Sequence, residues 1–202
     1  MPVRTIHNIK KFTEIVNNNE VFAGVDVHKN TYSVSLLCPA KLLNITFSTP
    51  NTNMKFVDEL KLLGLNIANI VYEAGPTGFA LAWSCQNAFR VDDQTGEVFP
   101  DPLPVTVISP HLAPHCAARN NKSDSHDSLE LAFLASKPLD LDTCSVVIPT
   151  VDEQNLKELS RLRELAADTK RKAIQRLKSL LLRYGIKFPS ESGVYTKMLV
   201  KN

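Results

Sequence analysis

Apolar and polar positions alternate at two different periods along the chain. VFAGVDV (21–27) is a compact apolar run, and TYSVSLL (31–37) follows with β-branched and aromatic residues in rough alternation, the signature of strands. The three-residue polar link HKN between them predicts a hairpin. LLNITFS (42–48) reads as a third strand, and the short link 38–41 makes it the next antiparallel neighbour, so three strands form a meander. Residues 48–51 then offer caps to NMKFVDELKLLG, where Met54, Val57, Leu60, Leu62 and Leu63 approximate one helical face and Gly64 supplies a stop.

The second half of the body repeats the strand-to-helix rhythm. ANIVYEA (68–74) reads as a buried strand, and GPTGFALAWSCQNAF opens with Pro and Gly before a helical pattern. Residues 91–104 carry the Asp, Gly and Pro content of a loop, with room for a small hairpin of its own, and VTVIS (105–109) makes a fifth strand. HLAPHCAARNNK (110–121) has no strong period. From about Ser123, the positions Leu129, Leu131, Ala132, Leu134 and Ala135 mark a helix ending near Lys137-Pro138, and SVVIP (145–149) reads as an extended piece.

From Asp152 to Tyr184 there is no Gly or Pro, and Leu156, Leu159, Leu162, Ala166, Ala173, Leu177, Leu180 and Tyr184 keep three- and four-residue spacings for most of the length. The expectation is one helix of roughly thirty residues, about 50 Å at ~1.5 Å per residue, with Gly185 at its C-terminal end. A helix this long exceeds what a small core covers, so part of its apolar stripe is expected to pair with another helix or another protomer. Arg163 and Lys170 fall on that stripe and weaken a strict heptad.

Composition narrows the class. With 202 residues, 44% hydrophobic and 22% charged, the chain fits one globular domain plus an appendage. The expected division is a polar leader (1–20), a body (21–150), a long helix (151–187) and a tail (188–202). No apolar run approaches the ~18 residues of a membrane span, and the first twenty residues lack the pattern of a signal peptide. Cys38, Cys85, Cys116 and Cys144 lie far apart with no CxxC pair, which argues against a disulfide framework or a zinc ribbon and makes the cytoplasm the expected compartment. The net charge of +2 hides a segregation: residues 1–152 carry −5, residues 153–187 carry +6 and the remainder +1. An acidic body with a basic arm suits a protein whose acidic groups hold metal and whose basic groups hold phosphate; a solvated charged helix is the alternative.

The order β-β-β-α-β-α-β-α, with three meandering strands first, is the ribonuclease H-like arrangement, in which the first strand is central and the fourth lies parallel beside it. Asp26 ends the first strand and Glu73 ends the fourth, so neighbouring strand ends bring together two carboxylates 47 residues apart. Asp124 and Asp127, three apart, share a helix face near its N-terminus. Four converging carboxylates would repel by several kcal/mol unless their pKa values rise or a divalent cation binds, and hard oxygen ligands suit Mg²⁺ or Mn²⁺. Two such ions can activate a water or hydroxyl and stabilise a leaving oxygen in phosphodiester cleavage. Against this stand the plainer roles of Asp124 as a helix N-cap and Glu73 as a strand-end surface residue.

Other residues divide between two readings. His28 and Lys29 follow the first Asp and can touch phosphate, or simply be exposed in a turn. Gly75 and Gly78 flank Pro76-Thr77 at a helix start, where a tight turn is preferred to a phosphate cradle. His111, His115 and Cys116 lack a second pair at zinc spacing, and Phe79 with Trp83 reads as core. Lys170, Arg171, Lys172, Arg176 and Lys178 on the long helix can bind backbone phosphate or form a solvated face.

GVDVHKNTYSVSLL, YEAGPTGFALAWSCQ, VISPHLAP, KSDSHDSLELAFL and RLRELAADTKRKAIQRLKSLLLRYGI together resemble the DEDD transposases of insertion sequences related to the Piv DNA invertases, over about Val21 to Ile186. By motif, the family's four acidic positions fall on Asp26, Glu73, Asp124 and Asp127. The resemblance implies a RuvC-like, Mg²⁺-dependent domain that recombines DNA, in some members guided by a noncoding RNA, followed by a coiled-coil helix for assembly and nucleic-acid contact. On that basis Lys122, beside the last acidic motif, joins the expected DNA contacts. Ser125 and His126 replace basic residues usual in that motif, so weaker local phosphate contact or ligand orientation is expected. Family members continue into a domain with a nucleophilic serine; a chain stopping at Asn202 is expected to lack it. A non-catalytic nucleic-acid-binding or oligomerisation remnant, or a regulator of a complete transposase, is the alternative function. An actin-like sugar kinase is disfavoured because Val27-His28-Lys29 follows Asp26 where Gly and Ser or Thr would meet a nucleotide phosphate.

Overall fold

A computed structural model describes residues 3–92, 94–112 and 124–186, with the backbone alone at Asp124. The chain forms two compact units, Met1–Ile148 and Pro149–Asn202. It is α/β, with a mixed sheet of seven strands, flanking helices and a long C-terminal helix. In the first unit the elements run β1 (Arg4–Thr5), α1 (Ile9–Val16), β2 (Glu20–Val27), β3 (Thr31–Cys38), a 3-10 turn (Pro39–Lys41), β4 (Leu43–Pro50), α2 (Asn53–Leu62) and β5 (Asn66–Glu73). Then come α3 (Ala80–Gln86), β6 (Phe89–Val91), β7 (Val98–Pro100), β8 (Val105–Ile108), α4 (Asp124–Ala135), α5 (Pro138–Cys144) and β9 (Ser145–Val146).

The sheet order is β1-β4-β3-β2-β5-β8-β9, and β6 pairs with β7 in a separate hairpin. The meander is present: β2 pairs antiparallel with β3, and β3 with β4. β2 is the central strand, and β5 lies parallel against it with Val25 opposite Tyr72. The two faces of β2 bury different partners because side chains alternate along a strand. Val21, Ala23 and Val25 join Ile70, Tyr72 and Val107 in a core closed by Phe12 of α1, Phe56 and Leu60 of α2 and Leu81 of α3. On the opposite face Phe22, Val71 and Ile108 pack with Leu131, Leu134 and Ala135 of α4 and Leu141 of α5.

The sequence reading and the fold differ in three places. On α2 the buried face is Phe56, Val57 and Leu60, while Met54 and Leu62, read as part of the apolar face, are exposed. Residues 4–16, read as a polar leader, form an edge strand and a helix. Ile9, Phe12 and Val16 recur at helical spacing, Phe12 and Val16 are fully buried, and Asn8 caps the helix by accepting the Lys11 N–H at 3.2 Å. Pro138, read as the end of the preceding helix, instead starts α5, because proline's missing N–H and fixed φ suit the first helical turn. The small hairpin allowed for in 91–104 occurs as β6 and β7, which flank the turn at Gly96.

The second unit is described by α6 (Val151–Arg183). Its start is a reciprocal cap: Thr150 Oγ1 accepts the Glu153 N–H at 3.2 Å, and Glu153 Oε2 accepts the Thr150 N–H at 2.8 Å. Those hydrogen bonds from Thr150 hold the Glu153 carboxyl below its ordinary pKa. The carboxylate's half of the cap is therefore present above its unfolded pKa and lost as pH falls through its folded value, while the Thr150 hydroxyl keeps the Glu153 N–H. Gly185, at φ 71, ends the helix, with the Gly185 N–H donated to Leu182 O and the Ile186 N–H to Leu181 O, both at 3.0 Å. Thr150→Ala is expected to destabilise α6 by about 1 kcal/mol, read as an earlier helical melt in far-UV circular dichroism. No residue of α6 is buried, so its leucine stripe lies open. Among the described residues, no helix is long and apolar enough to cross a membrane.

Candidate functional site

Strand register brings the first two acidic residues together. Val25 of β2 stands opposite Tyr72 of β5, so Asp26 and Glu73 are the next positions on two parallel neighbours, about 4.8 Å apart across the sheet. Gly24 pairs with Val71, and the two-residue period carries Asp26 and Glu73 to that same face, the one covered by α4. This level depends on a bulge: Val21 pairs with Ile67 but Phe22 with Asn69, so β5 holds one extra residue, Ala68. Without it Asp26 would stand level with Tyr72, and Glu73 would turn to the other face. Asp26 is half-buried and Glu73 exposed.

Two features fix α4 over those strand ends. Gly24 has no side chain, and a Cβ there would stand 2.1 Å from Ser128 O and 2.3 Å from Ala132 N, so the helix backbone rests directly on β2. Beside it, the fully buried Ser128 hydroxyl hydrogen-bonds Ser35 Oγ at 2.8 Å and Ser33 Oγ at 3.3 Å, and Ser35 also meets Thr46 Oγ1 at 2.7 Å. Ser33 is the β3 partner of Asp26. The start of α4 is thereby held at the carboxyl ends of β2 and β5, with Asp127 half-buried immediately before Ser128 and Asp124 at the first helical position. Ser128→Ala would leave the Ser33 and Ser35 hydroxyls short of a buried partner. A loss of about 1–2 kcal/mol in urea unfolding is expected.

His28 reaches back to the first carboxylate, with Nε2 3.2 Å from Asp26 Oδ2. Its turn is braced by Asn51, whose Nδ2 donates to His28 O at 2.6 Å and whose backbone N–H donates to Asn30 O at 2.9 Å. Lys29 is exposed at the tip. Lys122 lies outside the described residues, as do His115 and Cys116. Asp26, Glu73 and Asp127 thus occupy one end of the sheet. Among the described residues, no three His, Cys, Asp or Glu side chains form a group that could hold a metal ion, and the side chain of Asp124 is outside that description.

The five basic candidates of α6 are exposed in the second unit. Arg171 and Lys172 both pair with Asp168 on their own helix, Lys172 at 2.6 Å, and hold its carboxyl below the ordinary range. Gly75 and Gly78 form a turn closed by the Gly78 N–H on Gly75 O at 3.0 Å, and the Tyr72 hydroxyl donates to Gly78 O at 3.3 Å from below. Phe79 and Trp83 stack at a tilt, 6.3 Å between centroids, partly buried on α3. Cys85 is no nucleophile: burial pushes its thiol up to about 12.

Ser33, Ser35 and Ser128 were not singled out by the sequence reading. The two strand serines, spaced two apart in TYSVSLL, carry a signal for a polar patch on one face; a lone helical serine carries none.

No protein-family model matches the chain. The chain is similar to a protein of Sinorhizobium fredii (strain NBRC 101917 / NGR234) named "Putative transposase y4qE", at 22% identity over 190 residues. The match covers 88% of this chain and 42% of that relative, so the chain spans less than half of the relative's length.

Proposed function

We propose that this chain is the metal-dependent, DNA-cleaving part of a transposase, built on a ribonuclease H-like (RuvC-like) sheet of the DEDD type. The observation that carries the reading is the shared level and face of Asp26 and Glu73 on adjacent parallel strands, under a helix that begins with Asp124 and Asp127. Support for the fold comes from the run β4-β3-β2-β5-β8, a meander followed by two parallel strands around a central first strand. Support for a transposase comes from the name of the similar protein.

The donor set suits the ion. Carboxylate oxygens are hard ligands, and Asp26, Glu73, Asp124 and Asp127 would hold Mg²⁺ or Mn²⁺. Such an ion, when bound, lowers the pKa of a water or hydroxyl nucleophile and screens charge on the scissile phosphate. The chain's own residues do the positioning. The β2–β5 register sets Asp26 and Glu73 at the same level on adjacent strands, the serine cluster and Gly24 hold against β2 the helix whose first turn carries Asp124 and Asp127, and His28, 3.2 Å from Asp26, would orient that carboxylate. The cations of α6 supply DNA backbone contacts, and its open leucine stripe, with Leu156, Leu159 and Leu162 all more than half exposed, suits self-assembly. A guide noncoding RNA is a further partner within the same reading.

The test is incubation of the purified protein with branched and linear DNA in Mg²⁺ or in chelator. Metal-dependent cleavage that disappears in Asp26→Asn is the expected result. DNA retention without cleavage under every metal condition would replace the enzyme by a non-catalytic nucleic-acid-binding fragment.

A further inference from the structure

A cleft of about 680 Å³ opens at the edge of the sheet farthest from β9, walled by β1, the link into α1, α1 itself and the 3-10 turn before β4. Its lining includes Arg4, His7, Lys11 and Lys41 and, among the described residues, no acidic one. That concentration runs against its surroundings, since residues 1–148 hold 11 Lys and Arg against 15 Asp and Glu. Three of the 11 converge here from positions up to 37 residues apart, drawn together by the parallel β1–β4 pairing and the 2.8 Å hydrogen bond from Arg4 N to Leu42 O. Among the described residues, Arg4, Lys11 and Lys41 take part in no ion pair. Like charges gathered in one cleft repel one another, and an anion relieves that repulsion.

Two further features shape the ligand. Leu42 on the rim adopts the left-handed conformation, φ 52 and ψ 42, which a leucine rarely takes and which concentrates at functional positions. Ile15 and Leu42 are more than a third exposed beside the cations, so the cleft offers apolar surface next to positive charge. Its volume exceeds what one phosphate ion fills and falls in the range of nucleotide-sized sites. Phosphodiester chains combine both chemistries, anionic along the backbone and apolar on sugar edges and base faces.

We infer that this cleft is a second nucleic-acid contact, in which Arg4, Lys11 and Lys41 bind successive backbone phosphates while Ile15 and Leu42 take the adjoining sugar or base surface. It cannot act on the phosphate that the carboxylates would hold. β1 lies three strand spacings from β2, roughly 15 Å at ~4.8 Å each. Along the strands it sits level with Leu43, Cys38 and the start of β2, the end opposite Asp26. The cleft therefore anchors a strand whose other part extends toward the carboxylates. The inference rests on the nucleic-acid reading of the preceding subsection.

The test measures binding of labelled duplex DNA and of single-stranded RNA by fluorescence anisotropy in chelator, over a series of salt concentrations. The triple substitution Arg4→Gln, Lys11→Gln, Lys41→Gln is compared with wild type and with Lys55→Gln, an exposed lysine on α2. Each lost phosphate contact lowers the salt slope by about 0.9 on duplex or about 0.7 on a single strand, so the triple variant is expected to lose between 2 and 3 units of slope while Lys55→Gln loses none. The slope reports contacts made by folded protein, so a partly unfolded variant changes its amplitude and not its slope. Wild-type binding with an unchanged slope in the triple variant would overturn the cleft and leave the nucleic-acid reading intact. Saturable binding of inorganic phosphate that the triple variant loses, with nucleic-acid affinity unchanged, would also overturn it and make the cleft a small-anion site. Absence of any binding by wild type would overturn both.

Discussion

Gly24→Ala is expected to lower the stability of the first unit by on the order of 3 kcal/mol or more, with a fall of roughly 10 °C in the melting temperature. The added methyl would stand 2.1 Å from Ser128 O, 2.3 Å from Ala132 N and 2.8 Å from Leu131 C. All three are backbone atoms of α4, so no rotamer change relieves the contact. The helix must lift from β2 or the strand must bend, and either movement strips the Ser128 hydroxyl from Ser33 and Ser35 and opens the Val71, Leu131 and Leu134 cluster. Ala132→Gly is expected not to rescue the variant, because it removes a side chain and leaves the obstructing nitrogen. Gly75→Ala provides the contrast: its Cβ would meet only Glu73 O, at 3.9 Å, and a change within about 0.5 kcal/mol is expected. Urea unfolding of the variants measures both. Equal midpoints for Gly24→Ala and wild type would mean that α4 does not rest on β2 at this position.

Much of this architecture was legible in the chain because the relevant signals are local. The three meander strands announce themselves by β-branched runs separated by short polar links, and α6 by the absence of Gly and Pro from Asp152 to Tyr184 with Gly185 just beyond. The placement of Asp26 and Glu73 near strand ends followed from the same pattern, since a charged residue just before the close of an apolar run is where a strand leaves the core. Three things were hidden for physical reasons. α1 spans only eight residues, too short for its Ile9, Phe12 and Val16 spacing to outweigh the polar sequence around it. Pro138 carries opposite meanings at the end of one helix and the start of the next, and only the packing of Leu141 and Cys144 decides between them. The bulge at Ala68 has no compositional mark, yet it sets the face of Glu73. Register between strands whose partners lie 46 to 47 residues apart is a property of the assembled sheet, and the sequence states it nowhere.

Mg²⁺ is expected to raise the thermal stability of the wild-type chain, and Asp26→Asn or Glu73→Gln to abolish that increment. An ion that binds the folded state alone stabilises it by about 2.7 kcal/mol at a concentration one hundred times its Kd. In the proposed centre the affinity would come from two carboxylates that the sheet holds at the same level on adjacent strands. An amide keeps the size and one oxygen but removes the charge, so either substitution alone is expected to abolish most of the effect. Because both carboxylates would serve one centre, the double variant should lose little more than either single one, a departure from additivity of the kind coupled residues give. His28→Gln tests a separate link: His28 touches Asp26 at 3.2 Å without being an expected ligand, so the Mg²⁺ increment should shrink and not vanish. Melting curves in Mg²⁺ and in chelator, repeated with Ca²⁺ to separate divalent charge from fit, read all five proteins. An Mg²⁺ increment of equal size in wild type and Asp26→Asn would remove Asp26 from the centre, and with it the alignment to Glu73 on which the proposed chemistry depends.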